Sequence, residues 1–308
     1  MEQMQSLKQE ISALLPAFSI RQEELLSKHT SFRIGGPAEL MVFPGNPQEL
    51  SSVLGAAHRH GIRPMILGAG TNILAPDEGI RGLVICLREC FMGLTLLPGN
   101  RVEAMAGMTL AQTAMFAARN GLSGLEFAHG IPGTVGGGVY MNAGAYGGEI
   151  KDVAVATEFM DLEGKCQWIE GEAQGFSYRN SSFQGREGVI VRTVFQLQPG
   201  NEEEIRNTIY TLNEKRRASQ PLEKPSAGST FKRPVQGYAA ALIEQAGLKG
   251  LQVGGAAVST KHAGFVVNLG DATATDVLEL VAQVRQKVLE HSGIELEPEV
   301  RLWAADRS

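Results

Sequence analysis

Apolar residues recur at helical spacing in several parts of the chain. Near the N-terminus, Met4, Leu7 and Ile11 are separated by polar and charged residues, which predicts an amphipathic helix over residues 3–16. The same spacing predicts further helices at residues 47–60, 109–120, 201–221, 237–248 and 271–291.

Residues typical of helix ends flank two of these segments. Asn46 precedes Pro47 at the start of one helix, and Gly61 follows its end. Thr109 is a candidate cap for the next helix, which Gly121 terminates.

Short apolar or alternating runs predict strands between the helices. These runs lie at residues 38–43, 64–67, 79–87, 101–108, 152–164, 165–170 and 188–199, and in two strands joined by a turn at 256–270. A last strand is expected over 294–303, where a period of two would place Glu295, Glu297 and Glu299 on one face. The composition changes at Pro199, which we interpret as a domain boundary.

Both periods break down from Glu126 to Gly148, which contains eight glycines. We expect neither helix nor strand there, but a main chain that a ligand can approach closely, with phosphate oxygens as the usual ligand. The alternative is a long surface loop, which its apolar residues disfavour.

A second glycine cluster, Gly68-Ala69-Gly70, follows a predicted strand. A dinucleotide fingerprint would need a third glycine where Ile73 stands, and Pro76 leaves no room for the following helix. We therefore predict a phosphate-binding turn without a helix, to which the Thr71 hydroxyl contributes.

Composition narrows the class of protein. The 308 residues are 43% hydrophobic and carry a net charge of −5, which predicts a soluble protein of two or three subdomains without general affinity for nucleic acid or anionic membranes. The scattered Cys86, Cys90 and Cys166 fit a reducing cytosol and no metal site. We see neither a signal peptide nor a membrane-spanning run, and we expect a cytoplasmic protein.

Three polar clusters are candidates for chemistry: residues 177–182, residues 226–233 and the glutamates of the last strand. Each also has an ordinary interpretation as a solvated loop or edge. In the second cluster, a hydroxyl in a basic setting suits an anionic substrate and proton transfer. No GxSxG or HExxH motif is found, which disfavours acyl transfer and zinc hydrolysis.

Seven motifs in order resemble the UDP-N-acetylenolpyruvoylglucosamine reductase family, from about residue 27 to 303. They are HTSFRIGGPA, LGAGTNIL, LEFAHGIPGTVGGGVYMNAGAYGGEI, FSYRNSSF, SAGSTFKRP, KHAGFVVN and LEPEVRLW. The resemblance implies an α+β chain with the FAD-binding fold of the p-cresol methylhydroxylase/vanillyl-alcohol oxidase type, followed by a C-terminal α/β substrate-binding domain. The implied divisions are an N-terminal helix at 1–26, FAD-binding subdomains at 27–85 and 86–200, and the substrate domain at 201–308.

The resemblance also implies a reaction, in which NADPH reduces non-covalent FAD and flavin N5 gives hydride to the enolpyruvyl group of the UDP-sugar. Ser229 would donate the proton, and Arg179 and Glu299 would polarise the substrate carboxylate. The implied substrate contacts are Tyr178, Lys232 and Arg233. The implied FAD contacts are Leu67, Gly68, Ala69, Gly70, Thr71, Asn72, Ile73, His129, Gly130, Ile131, Pro132, Gly133, Thr134, Gly136, Gly137, Ala143, Gly144, Val189 and Val191.

The chain departs from some members of that family in two respects. Arg233 stands where some members have asparagine, and no tyrosine-bearing insertion fits between Arg179 and Pro199, so the chain resembles the shorter type. We expect a monomer. Two alternatives remain: another FAD-dependent oxidoreductase of this fold, often with covalently tethered flavin, and a catalytically silent nucleotide-binding module.

Overall fold

The chain folds into two compact units, each made of three stretches of sequence. A computed structural model describes residues 2–88 and 90–304. The first unit contains the residues up to Gln22, Leu40–Ala69 and Gly82–Arg216. The second contains Glu23–Glu39, Gly70–Arg81 and the residues from Arg217 onward.

The described residues form seven α-helices and eighteen strands. The helices are α1 Glu2–Leu14, α2 Pro47–Arg59, α3 Leu110–Arg119, α4 Val135–Tyr140, α5 Glu202–Ser219, α6 Ala239–Gln245 and α7 Ala274–Ser292. The strands are β1 Ile20–Leu25, β2 Pro37–Val42, β3 Met65–Leu67, β4 Ile73–Leu74, β5 Ile80–Cys86, β6 Leu94–Leu97, β7 Arg101–Met105, β8 Leu122–Ser123, β9 Gly144–Ala145, β10 Gly148–Glu149, β11 Ala154–Asp161, β12 Cys166–Glu170, β13 Gly188–Gln196, β14 Gln198–Pro199, β15 Gln252–Val253, β16 Ala256–Val258, β17 Val266–Asn268 and β18 Arg301–Leu302.

The strands form three main sheets, of mixed and antiparallel type. One has the order β1-β2-β5-β3, with β3 and β5 parallel. The largest is antiparallel, in the order β12-β11-β13-β7-β6. The third, β15-β16-β17, is antiparallel and confirms the pair of strands expected at 256–270.

The predicted helix starts are confirmed. The Asn46 side chain accepts a hydrogen bond of 2.9 Å from the Glu49 N–H, with Pro47 in the first turn. Thr109 forms a capping box with Gln112 at the start of α3. These bonds satisfy N–H groups that the first turn of a helix leaves without an acceptor.

Each unit has its own hydrophobic core. In the second unit, Val277, Leu280, Val284 and Val288 of α7 are almost completely buried, which confirms the predicted apolar face of this helix. The first unit buries residues from α1, α2, α3, α4 and the strands β2, β5, β7, β11 and β13.

The glycine-rich stretch is more regular than its sequence predicts. It contains a 3₁₀ turn at Glu126–Ala128, the helix α4 and the β9–β10 hairpin, so the expectation of no regular structure is wrong. The N–H groups of Val135 and Gly136 donate to the carbonyls of Met108 and Ala106, at 2.7 and 2.9 Å. These tertiary bonds override the low helix propensity of glycine.

The predicted strand over 294–303 is also largely wrong, because only Arg301–Leu302 is a strand. Glu295 pairs with Arg285 at 2.7 Å and Glu297 pairs with Lys232, so two of the glutamates expected on one acidic face are held by different cations. Leu296 is fully buried, and its burial fixes this segment in the core of the second unit.

The two compact units do not coincide with the four divisions drawn from the sequence, which stay a prediction. The first unit continues beyond residue 200 to Arg216 because Ile205 and Ile209 of α5 pack against Ala118.

Candidate active site

The two glycine clusters meet in the first unit. A methyl group added to Gly68 would lie 2.6 Å from Thr134 Oγ1, closer than side chains tolerate. Leu67, at the end of β3, and Ala69 are buried beside Gly68. The structure therefore brings the predicted 67–69 and 130–137 segments together as one main-chain surface.

Several N–H groups of this surface are available to an acceptor. Within residues 2–88 and 90–304, no hydrogen-bond acceptor is found for the main-chain N–H of Gly68, Ala69, Gly133 or Thr134. Ala69 and Thr134 are themselves buried, and buried N–H groups normally have a partner. Unpaired donors around a glycine-lined surface fit the diphosphate of a dinucleotide such as FAD.

Other glycines of the stretch serve the packing of the protein itself. A methyl at Gly148 would lie 2.6 Å from the Phe127 ring, and one at Gly136 would lie 2.9 Å from Ala106 Cβ. A methyl at Gly144 would lie 2.8 Å from the Gly148 carbonyl oxygen. The high glycine content therefore has two causes, ligand access at some positions and close internal packing at others.

Arg216, which belongs to no motif recognised in the sequence, lies beside Gly130 at the start of the glycine surface. A methyl added to Gly130 would lie 3.3 Å from its Cδ and 2.9 Å from Asn213 Oδ1. Asn213 Nδ2 lies 2.9 Å from His129 Nδ1, which places His129 in the same cluster. Burial lowers the pKa of Arg216. The positions of Asn213 and Arg216 along α5 do not indicate a functional site, because their neighbours His129 and Gly130 lie far away in the sequence.

The remaining predicted cofactor residues of the first unit support this surface from behind or lie next to it. Val189 and Val191 of β13 are buried, and the Val191 carbonyl accepts from the Ala106 N–H at 2.9 Å. The Ala106 carbonyl in turn accepts from Gly136, so hydrogen bonds link β13 to α4. Ile131, Pro132 and Ala143 lie at half-buried or exposed positions of the same stretch.

The predicted Gly70–Ile73 segment meets the C-terminal residues in the second unit. Gly70 has φ +61° and lies against the His29 carbonyl, where a methyl would be only 2.2 Å from the oxygen. The Asn72 carbonyl accepts from the Arg301 N–H at 3.0 Å, and Ile73 pairs with Arg301 in a parallel bridge. No helix follows this turn, as predicted, and Thr71 is half-buried.

Ser229 and Glu299 also come together in the second unit. The Glu299 N–H donates to the carbonyl of Thr230, the residue after Ser229, at 2.8 Å. Thr230 is buried, and its Oγ1 accepts from the Val266 N–H at 2.9 Å. The buried threonine fixes a loop on which Ser229 is exposed, and within the described residues no hydrogen bond engages the Ser229 hydroxyl.

Lys232 and Arg233 are both engaged within the protein. Lys232 pairs with the Glu297 carboxylate, and its N–H donates to the Glu297 carbonyl at 2.8 Å. The Arg233 guanidinium lies 4.1 Å from the centre of the Tyr238 ring. Both cations remain on the segment that carries Ser229.

Arg179 lies at the tip of a turn in the first unit. Ser177 and Asn180 exchange main-chain hydrogen bonds of 3.0 and 3.1 Å across it. Arg179 has φ +54°, an uncommon conformation for a residue with a side chain, and its guanidinium lies 5.0 Å from the Tyr178 ring centre. Such backbone conformations persist where the surroundings enforce them, often at functional sites.

A polar cluster around the buried Asn142 lies next to this turn. A hydrogen bond from Lys151 lowers the pKa of Glu149, with smaller contributions from Asn142 and the charge of Arg179. Asn142 is completely buried, and its side chain bonds to the Glu149 carboxylate, the Ser177 carbonyl and the Lys151 N–H at 2.9–3.0 Å. The role of Asn142 is not evident from the sequence, because an asparagine between glycines is typical of a turn.

His262 has a structural position in the second unit. Its Nδ1 accepts from the Gly264 N–H at 3.2 Å, and its ring packs edge-on against Phe265. Burial lowers the pKa of His262, which favours the neutral form that this hydrogen bond requires.

Across residues 2–88 and 90–304, no group of three or more histidine, cysteine, aspartate or glutamate residues is arranged to hold a metal ion. Among the helices of these residues, none combines the length and the apolar character needed to span a bilayer.

Comparison with known proteins matches both halves of the chain to family models. Residues 38–170 match an FAD binding domain, and residues 220–303 match the C-terminal domain of UDP-N-acetylenolpyruvoylglucosamine reductase. An alkyldihydroxyacetonephosphate synthase structure, 16% identical with a TM-score of 0.50, covers 63% of this chain and 40% of its own. This likeness concerns the fold alone. The FAD binding domain and this fold define an FAD-binding protein of the p-cresol methylhydroxylase/vanillyl-alcohol oxidase type with an added C-terminal domain.

Full-length relatives identify the family. The UDP-N-acetylenolpyruvoylglucosamine reductases of Levilactobacillus brevis and Lachnoclostridium phytofermentans are each 46% identical, over 95% and 96% of this chain and 96% of their own. The crystal structure of the Thermus caldophilus enzyme is 37% identical, with a TM-score of 0.79 over 92% of this chain and all of its own. The chain belongs to the UDP-N-acetylenolpyruvoylglucosamine reductase family.

Proposed function

We propose that this protein reduces the enolpyruvyl group of UDP-N-acetylenolpyruvoylglucosamine to form UDP-N-acetylmuramate for peptidoglycan, with NADPH as the electron donor. The observation that carries this proposal is the 2.8 Å bond from the Glu299 N–H to the carbonyl next to Ser229. It holds a hydroxyl and a carboxyl group on adjacent, fixed segments, as proton transfer to a bound substrate requires.

The reaction adds one hydride and one proton across a carbon–carbon double bond. Bound FAD supplies the redox chemistry that carries the hydride from NADPH to the substrate. The main-chain donors of Gly68, Ala69, Gly133 and Thr134 would hold the cofactor diphosphate, and Arg216 adds a positive charge beside Gly130 of the same stretch.

Ser229 donates the proton to the carbon next to the substrate carboxylate. A serine hydroxyl is a weak acid in water, so it serves this role only against a strongly basic carbon centre in a preorganised site. The Ser229 loop has that order because the buried Thr230 anchors it through bonds to Val266 and Glu299. The exposed hydroxyl is then free to meet the substrate.

Arg179 and Glu299 act on the substrate carboxylate. The Arg179 guanidinium supplies charge-assisted hydrogen bonds to it. Glu299 in its protonated form donates a further hydrogen bond, since a second carboxylate beside the first favours protonation. Tyr178, Lys232 and Arg233 contact the rest of the substrate, the two cations facing its nucleotide diphosphate.

We further propose that the enzyme acts in the cytoplasm as a monomer and without nucleic-acid or membrane partners. The net charge of −5 supports the absence of nucleic-acid and anionic-membrane partners, because polyanions repel a protein of like charge. Sedimentation velocity on the FAD-loaded protein tests the monomer, and a dimer at micromolar concentration contradicts it.

The decisive experiment separates the two half-reactions of the Ser229→Ala variant. NADPH should still bleach the flavin absorbance, because hydride transfer from NADPH does not need this hydroxyl. Reoxidation by the enolpyruvyl sugar nucleotide should be lost. Ser226→Ala, in the same loop, is the matched control and should retain both half-reactions. Equal loss of both half-reactions in Ser229→Ala would rule out the proton-donor role.

A further inference from the structure

The turn that carries Arg179 is held by side chains from two directions. Arg179 itself adopts φ +54°, so the turn does not owe its geometry to the local preference of its residues. From one side, Asn142 Nδ2 donates to the Ser177 carbonyl at 2.9 Å. From the other, Gln184 Nε2 donates to the carbonyl of Arg179 at 3.0 Å.

Gln184 makes a second bond that leads to the glycine-rich stretch. Its Nε2 also donates to the Tyr140 carbonyl at 2.9 Å. A side-chain amide nitrogen has two hydrogens, and these two carbonyls are much closer acceptors than Met141 Sδ, which lies 3.7 Å away. Because both partners can only accept, the orientation of the amide group is fixed.

The Tyr140 carbonyl lies at the C-terminal end of α4, the helix that Thr134 caps at its other end. The short helix α4 thus begins at the main-chain surface proposed for the cofactor and ends at Tyr140, whose carbonyl accepts the hydrogen bond from Gln184. Ser181 Oγ also donates to the Tyr140 carbonyl, at 2.8 Å, but Ser181 makes no bond to the Arg179 carbonyl among the described residues. Gln184 and Ser181 therefore both donate to the Tyr140 carbonyl, but only Gln184 also donates to the Arg179 carbonyl.

We propose that Gln184 is a positioning residue for Arg179, which ties the arginine's main chain to the end of α4 and so sets its guanidinium relative to the cofactor surface. The inference rests on the proposed role of Arg179 in binding the substrate carboxylate. Gln184 does not touch the substrate; it acts through Arg179.

The pair Gln184→Met and Ser181→Ala tests this inference. Each variant removes one donor from the Tyr140 carbonyl, and only Gln184→Met also removes the donor to Arg179. Steady-state kinetics on the FAD-loaded enzyme should show kcat/KM for the enolpyruvyl substrate about tenfold lower in Gln184→Met, since small misplacements of a catalytic group have effects of this size or larger. Ser181→Ala should stay within about twofold of the wild type.

Two further readouts separate positioning from a general loss of structure. The Kd of FAD and the rate of flavin reduction by NADPH should be unchanged in Gln184→Met. In an Arg179→Ala background, Gln184→Met should cause no additional loss of kcat/KM, because its effect passes through the missing side chain. Gln184→Glu, which keeps the size but lacks the N–H donors, provides a second variant with the same expected pattern.

Different results overturn different statements. If Arg179→Ala impairs turnover while both Gln184 variants match Ser181→Ala, the positioning role is wrong and the proposed role of Arg179 stands. If the Gln184 variants cause the same loss with and without Arg179, Gln184 does not act through the arginine. If Arg179→Ala retains full kcat/KM, the proposed role of Arg179 fails and the inference fails with it.

Discussion

Replacement of Gly68 by alanine tests whether the two glycine clusters form one cofactor surface. The added methyl would lie 2.6 Å from Thr134 Oγ1, and the next atoms it meets are Thr134 Cβ and Cγ2, both at 3.7 Å. A single oxygen atom is therefore the obstacle. Gly68 does not have a left-handed backbone, so the substitution adds no conformational strain of its own.

The energetic cost of Gly68→Ala follows from the hydrogen bond that the Thr134 side chain loses when it moves aside. Its Oγ1 accepts the Gly137 N–H at 3.3 Å and caps α4, and rotating the side chain away forfeits that bond. Loss of a threonine cap costs about 1 kcal/mol, and overpacking a well-packed site costs about 1–3 kcal/mol. The two costs together are about 2–4 kcal/mol. If about half of this total weakens FAD binding, the affinity for FAD drops by about tenfold, since about 1.4 kcal/mol corresponds to that factor.

Fluorescence titration of apoprotein with FAD and thermal unfolding of the apo and loaded forms measure both effects. Thr134→Ala in the Gly68→Ala background removes the obstructing oxygen, so the double variant should bind FAD more tightly than Gly68→Ala alone. Gly185→Ala is the matched control, because a methyl there meets nothing within 4 Å and its backbone φ is not left-handed. Unchanged FAD affinity in Gly68→Ala, or strictly additive effects in the double variant, would refute the shared surface.

Three further predictions concern the proposed cofactor surface, the proposed role of Glu299 and acid stability. Gly137→Val should release FAD while the apoprotein stays folded, since a methyl there makes only an ordinary 3.5 Å contact; full flavin occupancy after gel filtration would contradict this. Glu299→Gln should lower kcat by tenfold or more with little change in substrate Kd, and an unchanged kcat would remove Glu299 from the chemistry. Glu149→Gln should destabilise the protein at pH 7 and progressively less at acidic pH, as the Glu149 carboxylate becomes protonated in the folded state. The Lys151 hydrogen bond lowers the folded-state pKa of Glu149, so its stabilisation is present above the unfolded-state pKa near 4.3 and lost as the pH falls through the lower folded-state value. Urea unfolding at pH 7 and at acidic pH measures the difference, and an equal destabilisation at both would contradict the assignment.

Local sequence signals predicted most helices because their causes are local. Asn46 and Thr109 cap helices through bonds to residues three positions away, and the apolar period of α7 reflects one buried face. The seven family motifs likewise depend on local order along the chain, and the cofactor and substrate segments that they imply stay a prediction. These signals depend on spacing along the chain, which the sequence displays directly.

The failures arise where distant residues decide the structure. α4 forms in a glycine-rich segment because the carbonyls of Ala106 and Met108 accept hydrogen bonds from its first turn. The residue spacing within the segment does not indicate these distant acceptors. The segment before β18 alternates like a strand, yet Glu295 and Glu297 are drawn to cations on other elements. Side-chain anchors have the same origin. In the sequence, Gln184 resembles an ordinary loop residue, because its hydrogen-bond partner Tyr140 lies 44 positions earlier.

The second unit is assembled from three separate stretches of sequence, which affects how the chain folds during synthesis on the ribosome. Its early segments, Glu23–Glu39 and Gly70–Arg81, bond to partners near the end of the chain: the Phe32 carbonyl accepts from Asn268, and β4 pairs with β18. Both segments emerge long before these partners are translated. The first unit has all its residues once Arg216 is made, whereas the second must wait for Arg301, so folding of the nascent chain proceeds in that order. A chain cut between Arg216 and Arg301 would thus have all the residues of the first unit and only part of the second.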